Sequence, residues 1–208
     1  MIFLSGAFVN VDLTLRRGGH INRSNVELHG WVCLNFDQLH AFYSNYGCSL
    51  RQHPDGFFFL SSTGKKIKTK LLSQSCVHLG IFIALKARDP EITKTLGWIP
   101  TGQLLQDIET TVPREILQKI YASRAKESVV DERIADEIRS ALKIFADLNF
   151  IETREGAIRP LESINRFVEM ARCDNSPDDI ARIRLEIEGG VAFQTEDESV
   201  DQGDEDDE

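Results

Sequence analysis

Residues 130–160 read VDERIADEIRSALKIFADLNFIETREGAIRP and contain the clearest helical pattern of the chain. Apolar side chains recur there in steps of four, four, three, four and three, at Val130, Ile134, Ile138, Ala141, Phe145 and Leu148. This spacing places them on one face of a straight amphipathic helix. Two short β-prone runs follow, separated by a turn at Gly156, so the pattern predicts a long helix that leads into a hairpin.

The same order of elements occurs about a hundred residues earlier. A helix is predicted from Asn35, with Asn35 and Gln38 as a capping box and Gly47 as its end. A strand over residues 48–53, a turn with the sequence PDG and a return strand with the sequence FFFL follow it. A helix that leads into a tight hairpin is the closing half of a winged helix. Two copies favour tandem winged-helix modules, and one α+β domain with two incidental hairpins is the alternative.

The chain is therefore predicted to be mainly α with small β-hairpin wings, an α+β fold of tandem winged-helix domains. Further helices are predicted within residues 71–87, after Pro100 with Thr101 as the N-cap, and over residues 114–126. The predicted boundaries are a first module at 1–64, a basic connector at 65–70, a second module at 71–170, a C-terminal helix at 171–190 and an acidic disordered tail at 191–208.

Charge is distributed unevenly along the chain. The sequence has 24 Lys and Arg against 33 Asp and Glu, for a net charge of −9. Nine of the acids lie in residues 194–208, which contain no Lys or Arg, so the rest is balanced at 24 acids and 24 bases. A like-charged tail buries too little apolar surface to offset its ordering entropy, so we expect it to be disordered. A neutral body argues against tight DNA binding by the protein alone.

Several functional classes lack the residues that they require. No run approaches 18 apolar residues and the N-terminus lacks the basic start of a signal peptide, so we expect a cytoplasmic protein without membrane spans. No phosphate-binding or dinucleotide-binding loop and no hydrolase motif occurs, so neither an enzyme nor a cofactor is predicted. His29, Cys33 and His40 lack the spacing of a metal site, so no metal is predicted. A thiol enzyme that uses Cys33 or Cys48 is the remaining catalytic hypothesis.

Three cations on the outer face of the long helix are candidate DNA-binding residues: Arg133, Arg139 and Lys143. Winged helices often place a helix and a basic wing on DNA. The connector adds Lys65, Lys66, Lys68 and Lys70. The structural alternative is that Arg133 and Lys143 form ion pairs with Glu137 and Asp147, each four residues further along the helix.

The aromatic run at residues 57–59 predicts one more surface. In a strand, Phe57 and Phe59 share one face and Phe58 lies on the other. One face should belong to the core, and the other is either covered by another module or offered to a partner.

Segments in both halves of the chain carry a resemblance to a known family. They are residues 15–21 (LRRGGHI), 36–38 (FDQ), 42–43 (FY) and 54–60 (PDGFFFL), then 138–142 (IRSAL) and 158–167 (IRPLESINRF). Their order and spacing, followed by a C-terminal helix and an acidic tail, resemble the MukE family of the bacterial MukBEF chromosome-condensation complex, or its close MksE-like relatives. The likeness spans roughly residues 10–208.

The resemblance implies a protein that dimerises and binds the central linker of a MukF-like kleisin subunit. It also implies assembly with a MukB-like SMC ATPase, which fits the missing phosphate loop. Members of the family help to hold DNA weakly at the ATPase heads through basic residues on the second module's long helix. Arg133 and Arg139 match such positions and Lys143 is their neighbour, whereas residues 144–147 (IFAD) depart from the family's arginine-rich pattern. The implied role is chromosome condensation and segregation at the nucleoid.

A winged-helix transcription regulator is the alternative function. Such a protein would bind a specific duplex by itself, with a strong dependence on salt. The neutral body and the acidic residue Asp147 count against it.

Overall fold

A computed structural model describes residues 2–62, 71–123 and 127–171, and helices form most of these residues. Two small antiparallel sheets accompany them, so the predicted α+β class is confirmed. The described residues bury their apolar side chains in two separate clusters, a first core within residues 11–58 and a second core within residues 76–168. The predicted connector, C-terminal helix and acidic tail fall almost entirely outside the described residues.

Three helices and a hairpin surround the first core: α1 (Gly6–Arg16), α2 (Val26–Leu34), α3 (Phe36–Ser44), β1 (Cys48–Gln52) and β2 (Phe58–Ser62). Ser5 begins α1, because its Oγ accepts a hydrogen bond from the backbone N–H of Phe8 at 3.1 Å. Further along α1, the side chains of Val11 and Leu15 are buried in the first core. The hairpin turn closes at Gly56, whose φ of 92° favours glycine.

The start of α3 differs from the predicted capping box. Asn35 is the N-cap by position, but its side chain makes no capping hydrogen bond. Its Nδ2 instead donates to the carbonyl of Trp31 at 2.8 Å. Only one residue separates α2 from α3, so this amide satisfies a carbonyl in the last turn of α2 rather than an N–H at the start of α3.

The second core is enclosed by further helices and a three-stranded sheet: α4 (Gln74–Lys86), α5 (Pro90–Lys94), β3 (Ile99–Pro100), α6 (Thr101–Thr111), α7 (Arg114–Tyr121), α8 (Val130–Asp147), β4 (Ile151–Arg154), β5 (Ala157–Pro160) and α9 (Arg166–Ala171). The long helix predicted from the apolar spacing is α8, and it buries that face in the core. Helix α4 is buried and contains one polar ring, that of His78. This ring is hydrogen-bonded, because its Nδ1 lies 2.8 Å from the hydroxyl of Tyr121.

The start of α6 also differs from the prediction. Pro100 is the N-cap, and Thr101 is the first helical residue. Residues Ile99 and Pro100 form β3, which pairs with β5 to give the sheet order β3-β5-β4. A two-residue strand is too short to show an alternating pattern, so the sequence did not reveal it. Because β5 is the central strand in this order, β4 lies at an edge of the sheet.

The two cores meet along a contact that we call the seam. It joins residues 20–22 and 53–59 of the first part to residues 148–150 and 163–169 of the second. Polar side chains cross it repeatedly. At its margin, His53 Nε2 lies 2.7 Å from Glu169 Oε1, and Asn165 Nδ2 donates to Asp55 Oδ2 at 2.7 Å.

His20 is buried at the centre of the seam, with 1% of its surface exposed. Its backbone N–H and its Nδ1–H both donate to the carbonyl of Leu148, at 3.1 and 2.9 Å. Since Nδ1 carries the proton, Nε2 accepts a hydrogen bond from Arg166 at 2.8 Å. Burial lowers the pKa of His20 to about 3, opposed by the bond to Leu148 and assisted by the charge of Arg166. The ring is therefore neutral at physiological pH.

Asn149 ends α8 in the left-handed conformation, at φ 56°. Its N–H bonds to the carbonyl of Ala146 at 3.1 Å, and the N–H of Phe150 bonds to the carbonyl of Phe145 at 2.8 Å. These two bonds form a Schellman motif, in which Asn is tolerated where Gly is usual.

The same asparagine holds the two parts of the chain together. Its Nδ2 donates to the carbonyl of His20 at 2.9 Å. Its own carbonyl accepts hydrogen bonds from Asn22 Nδ2 at 2.7 Å and from Ser163 Oγ at 2.6 Å. Asn22 Oδ1 then accepts from the N–H of Ser163 at 3.0 Å, which closes a network in which Asn22 and Ser163 are buried.

Substitution of Asn149 separates its two roles. We expect Asn149→Gly to lower the free energy of unfolding by about 1 kcal/mol, because the bond to His20 is removed while the backbone stays unstrained. Asn149→Ala removes the same bond and adds left-handed strain, so it should be less stable than the glycine variant by about 1 kcal/mol. Urea unfolding followed by circular dichroism measures both, and equal stability of the two variants would contradict the strain argument.

The depressed pKa of His20 predicts a loss of stability in mild acid. An unfolded histidine titrates near pH 6.5 and the native ring near pH 3, so the unfolded chain binds one more proton between these values. The contribution of His20 is complete above pH 6.5 and is lost as the pH falls, by about 1.4 kcal/mol per unit at most. Arg166 and His53 face the ring and cannot neutralise a charge on it.

Comparison with His20→Gln isolates this effect from the other titrating groups. Urea unfolding at pH 7, 6, 5 and 4 should show a shallower decline for the variant than for the native sequence. Parallel profiles for the two proteins would show that His20 takes up its proton in the folded state as readily as in the unfolded one.

Candidate functional site

The predicted DNA-binding residues lie on the solvent side of α8. Arg133, Arg139 and Lys143 are all exposed, because the opposite face of the helix is buried in the second core. The structure therefore places the three cations on one helix surface, as their spacing predicts.

Ion pairs on this surface differ from the predicted ones. Arg139 Nη1 lies 2.8 Å from Asp136 Oδ1, and both side chains are 57% exposed. Glu137 does not pair with Arg133, because its Oε1 accepts a hydrogen bond from Ser75 Oγ at 2.6 Å on α4. Within the described ranges, Arg133 and Lys143 have no acidic partner within ion-pair distance. They are the two cations of α8 that remain available to an external anion.

The outer face of α8 is balanced in charge. Its exposed residues include four acids, Asp131, Glu132, Asp136 and Asp147, beside the three bases, and the fourth acid, Asp131, is paired with Arg114 of α7 at 2.8 Å. A surface without net charge attracts phosphate only weakly over distance, since steering depends on the summed field. Any DNA contact made here depends on close approach of individual cations.

A further cation lies on the hairpin that follows α8. The guanidinium of Arg154 sits over the ring of Trp98 at 4.1 Å, and that of Arg159 at 5.2 Å. Arg159 also pairs with Glu152, whereas Arg154 has no acidic partner within reach in the described part of the chain. Sequence reasoning missed this group because Trp98 and Arg154 are far apart in the chain and meet only in the fold.

The aromatic run of β2 is covered by the second part of the chain. Phe58 is buried in the first core, and Phe57 is buried in the seam, where its ring stacks on His53 at 4.4 Å. Phe59 is half-buried, with the guanidinium of Arg166 over its ring at 4.2 Å. Of the two alternatives for this run, cover by another part of the chain is the correct one.

Helix α2 exposes apolar side chains that have no partner in the described residues. Its sequence, VELHGWVCL, is apolar on every side, yet only Val32 is buried. Val26 is 79% exposed and Leu34 is 86% exposed. A helix that is apolar all round is normally buried, so this surface indicates a protein–protein contact. The missing amphipathic period in the sequence was the signal that would have revealed it.

The thiols and histidines that were considered for catalysis or metal binding are only partly brought together. Cys33 is exposed with its Sγ 3.7 Å from His29 Nδ1, and His29 Nε2 lies 2.6 Å from the carbonyl of Gly56. His40 contacts Phe36 instead, and Cys48 is buried. Among the described residues, no group of three His, Cys, Asp or Glu side chains is arranged to hold a metal ion.

The described helices also lack the features of a membrane span. None of them combines the length and the apolar composition needed to cross a bilayer.

Known proteins align with this chain across both of its cores. The family described as condensin complex protein MksE matches residues 7–172. The chromosome partition protein MukE of Aliivibrio salmonicida (strain LFI1238) is 26% identical over 196 residues, which cover 92% of this chain and 82% of the relative. MukE of Vibrio cholerae serotype O1 is 26% identical over 192 residues, with 90% and 83% covered. MukE of Shigella flexneri is 27% identical over 194 residues, with 91% and 85% covered.

Proposed function

The chain belongs to the MksE family of condensin complex proteins, and we propose on this premise that it is a non-catalytic accessory subunit of a bacterial SMC-like condensin. Its role is in chromosome condensation and segregation, at the nucleoid in the cytoplasm. The observation that carries the proposal is the family match, which runs through both cores and the seam between them. Relatives that align with about nine-tenths of the chain are named as chromosome partition proteins, which supports the same role.

The proposed assembly has three protein partners. They are a second copy of this chain, a MukF-like kleisin whose linker the protein binds, and a MukB-like ATPase that supplies the chemistry. The hydrogen-bonded seam supports this role, because a rigid pair of winged-helix modules presents its surfaces to several partners in one fixed arrangement. Tandem winged-helix modules at 1–64 and 71–170 remain part of the proposal.

We assign the surface of α2 to the contact with the second copy. Val26, Gly30 and Leu34 follow one another at intervals of four and therefore lie on one side of the helix. Open space surrounds the position that a Cβ would occupy at Gly30, so a facing helix could approach the backbone closely there. Two copies of such a stripe complement each other about a two-fold axis, which is the usual symmetry of a homodimer.

DNA contact is proposed to be weak and to depend on the complex. Arg133, Arg139 and Lys143 supply it on α8, and the exposed Arg154 extends it to the hairpin. A neutral helix face gives little affinity by itself. Several weak contacts that are linked in one assembly still hold DNA, because each raises the effective concentration for the next.

Light scattering after size-exclusion chromatography tests the protein contacts. The protein alone should be a dimer, and it should shift into a stable complex with the kleisin of the same organism. Leu34→Asp should give a monomer, because a carboxylate in an apolar contact loses its hydration without a partner. Leu96→Asp is the matched control, since Leu96 is 81% exposed but lies outside α2.

Two results would contradict this assignment at different levels. A dimeric Leu34→Asp protein would remove α2 from the dimer contact. A native protein that ignores the kleisin and shifts a specific duplex by itself would replace the condensin role with transcription regulation.

Charge reversal on α8 tests the DNA contact in the assembled complex. Lys143→Glu should weaken DNA capture and should reduce the slope of log affinity against log salt by about one for each phosphate that the side chain no longer neutralises. Lys94→Glu is the control, because its ammonium group is already paired with Glu91 at 2.6 Å on another helix. Equal slopes for the two variants would exclude Lys143 from the DNA contact.

A further inference from the structure

Strand β4 leaves one edge of its sheet without a hydrogen-bonding partner among the described residues. In the antiparallel pair with β5, Ile151 lies opposite Pro160 and Thr153 lies opposite Ile158. The N–H of Leu161 bonds to the carbonyl of Phe150 at 2.9 Å, so the pair before Ile151 is a hydrogen-bonded one. Hydrogen-bonded and non-hydrogen-bonded pairs alternate along an antiparallel ladder. The backbone groups of Ile151 and Thr153 therefore point away from β5.

These outward groups remain unpaired in the part of the fold that the structure describes. Neither the N–H nor the carbonyl of Ile151 or Thr153 has a hydrogen-bond partner in residues 2–62, 71–123 or 127–171. Sheet order β3-β5-β4 confirms that no other strand lies beyond β4 in those ranges. An edge with two donors and two acceptors is a template for one further strand.

A groove of about 510 Å³ lies at the start of this edge, lined by Ile151 and Glu152 of β4 and by the loop that leads into α2. Its apolar lining includes Ile21, Ile151 and Leu161, and its polar lining includes Asn25, Glu27 and Glu152. This volume falls within the usual range for ligand-binding clefts, about 300–1,000 Å³. The groove therefore offers space and apolar side chains beside the free backbone groups of Ile151, and Thr153 continues the same edge beyond the lining.

The charge of the groove restricts what it binds. Among its described lining residues there are two carboxylates and no Lys or Arg. Glu152 is already paired with Arg159, whereas Glu27 has no cationic partner among the residues described. The nine acids of this chain's own C-terminal segment would meet Glu27 with like charge. An occupant that carries a Lys or Arg opposite Glu27 fits better.

We infer that this groove binds an extended peptide segment of the kleisin as an additional strand on β4, with a basic side chain of that segment facing Glu27. The inference rests on the proposed function for the identity of the partner. Backbone hydrogen bonds from Ile151 and Thr153 would supply affinity, and the apolar lining would select small or branched side chains at alternate positions of the segment.

Hydrogen–deuterium exchange on the native complex tests the added strand directly. Backbone amides of Ile151 and Thr153 should exchange more slowly when the full-length kleisin is bound than in the protein alone. Protection of both amides in the protein alone would mean that this chain itself occupies the edge, and would overturn the inference. Unchanged exchange upon a demonstrated binding of the kleisin would overturn it as well.

Substitution at Thr153 provides the second measurement. Thr153→Pro removes the outward N–H while sparing the ladder with β5, and it should weaken kleisin binding about ten-fold. Thr153→Val keeps the N–H and should bind like the native protein. Circular dichroism checks the fold of each variant, and the exchange experiment stands if the proline variant does not fold.

The charge requirement has its own test in the same binding assay. Glu27→Lys should weaken kleisin binding, and Glu27→Gln should weaken it less. Equal kleisin affinity for native, Thr153→Pro and Glu27→Lys proteins would overturn the assignment of the groove to the kleisin segment. It would leave the proposed function intact. A native protein that does not bind the kleisin at all would instead overturn the proposed function.

Discussion

The left-handed turn at Asn149 is the constraint on which the rest of the structure depends. Helix α8 has to end there, because Asn149 reverses the chain through a Schellman motif and lets Phe150 enter the sheet. The same residue offers its amide to His20 and its carbonyl to Asn22 and Ser163. Buried polar groups are costly unless each one is paired, so this network tolerates little displacement of one core relative to the other. The hydrogen bonds at the C-terminal end of α8 therefore hold one core in place against the other.

Charge pairing explains why the surfaces of the protein differ in character. On α8, Asp136 partly neutralises Arg139, and the exposed acids of the outer face offset its three bases. On α2, by contrast, the residues that meet solvent are mostly apolar. A surface of the first kind makes weak contacts that salt screens, whereas one of the second kind gains free energy by excluding water. The apolar surface of α2 therefore supports a stronger contact with a partner than the charged face of α8 does.

Sequence reasoning located the elements whose pattern is long and local. The apolar spacing of α8 and the turns at Gly56 and Gly156 were enough to predict both hairpins and the α+β class. It missed β3, whose two residues carry no period, and it assigned Asn35 to a capping box that its side chain does not form. Its alternative for Arg133, an ion pair with Glu137, is also wrong, because Glu137 accepts a hydrogen bond from Ser75 on α4. Two of these errors, at β3 and at Glu137, concern partners far away in the chain, which local patterns do not encode.

The seam and the edge of β4 are physically linked, because Ile151 follows Asn149 by two residues. The bonds that hold Asn149 against His20 and Asn22 also hold the beginning of β4 in place beside the loop that leads into α2. A peptide that added to this edge would meet backbone groups that are already ordered, so little conformational entropy would be lost on the side of the receptor. Loosening the seam would therefore weaken binding at the edge even where no contact residue changed. The few hydrogen bonds that stabilise the two-core body would then also help to determine its affinity for an extended partner.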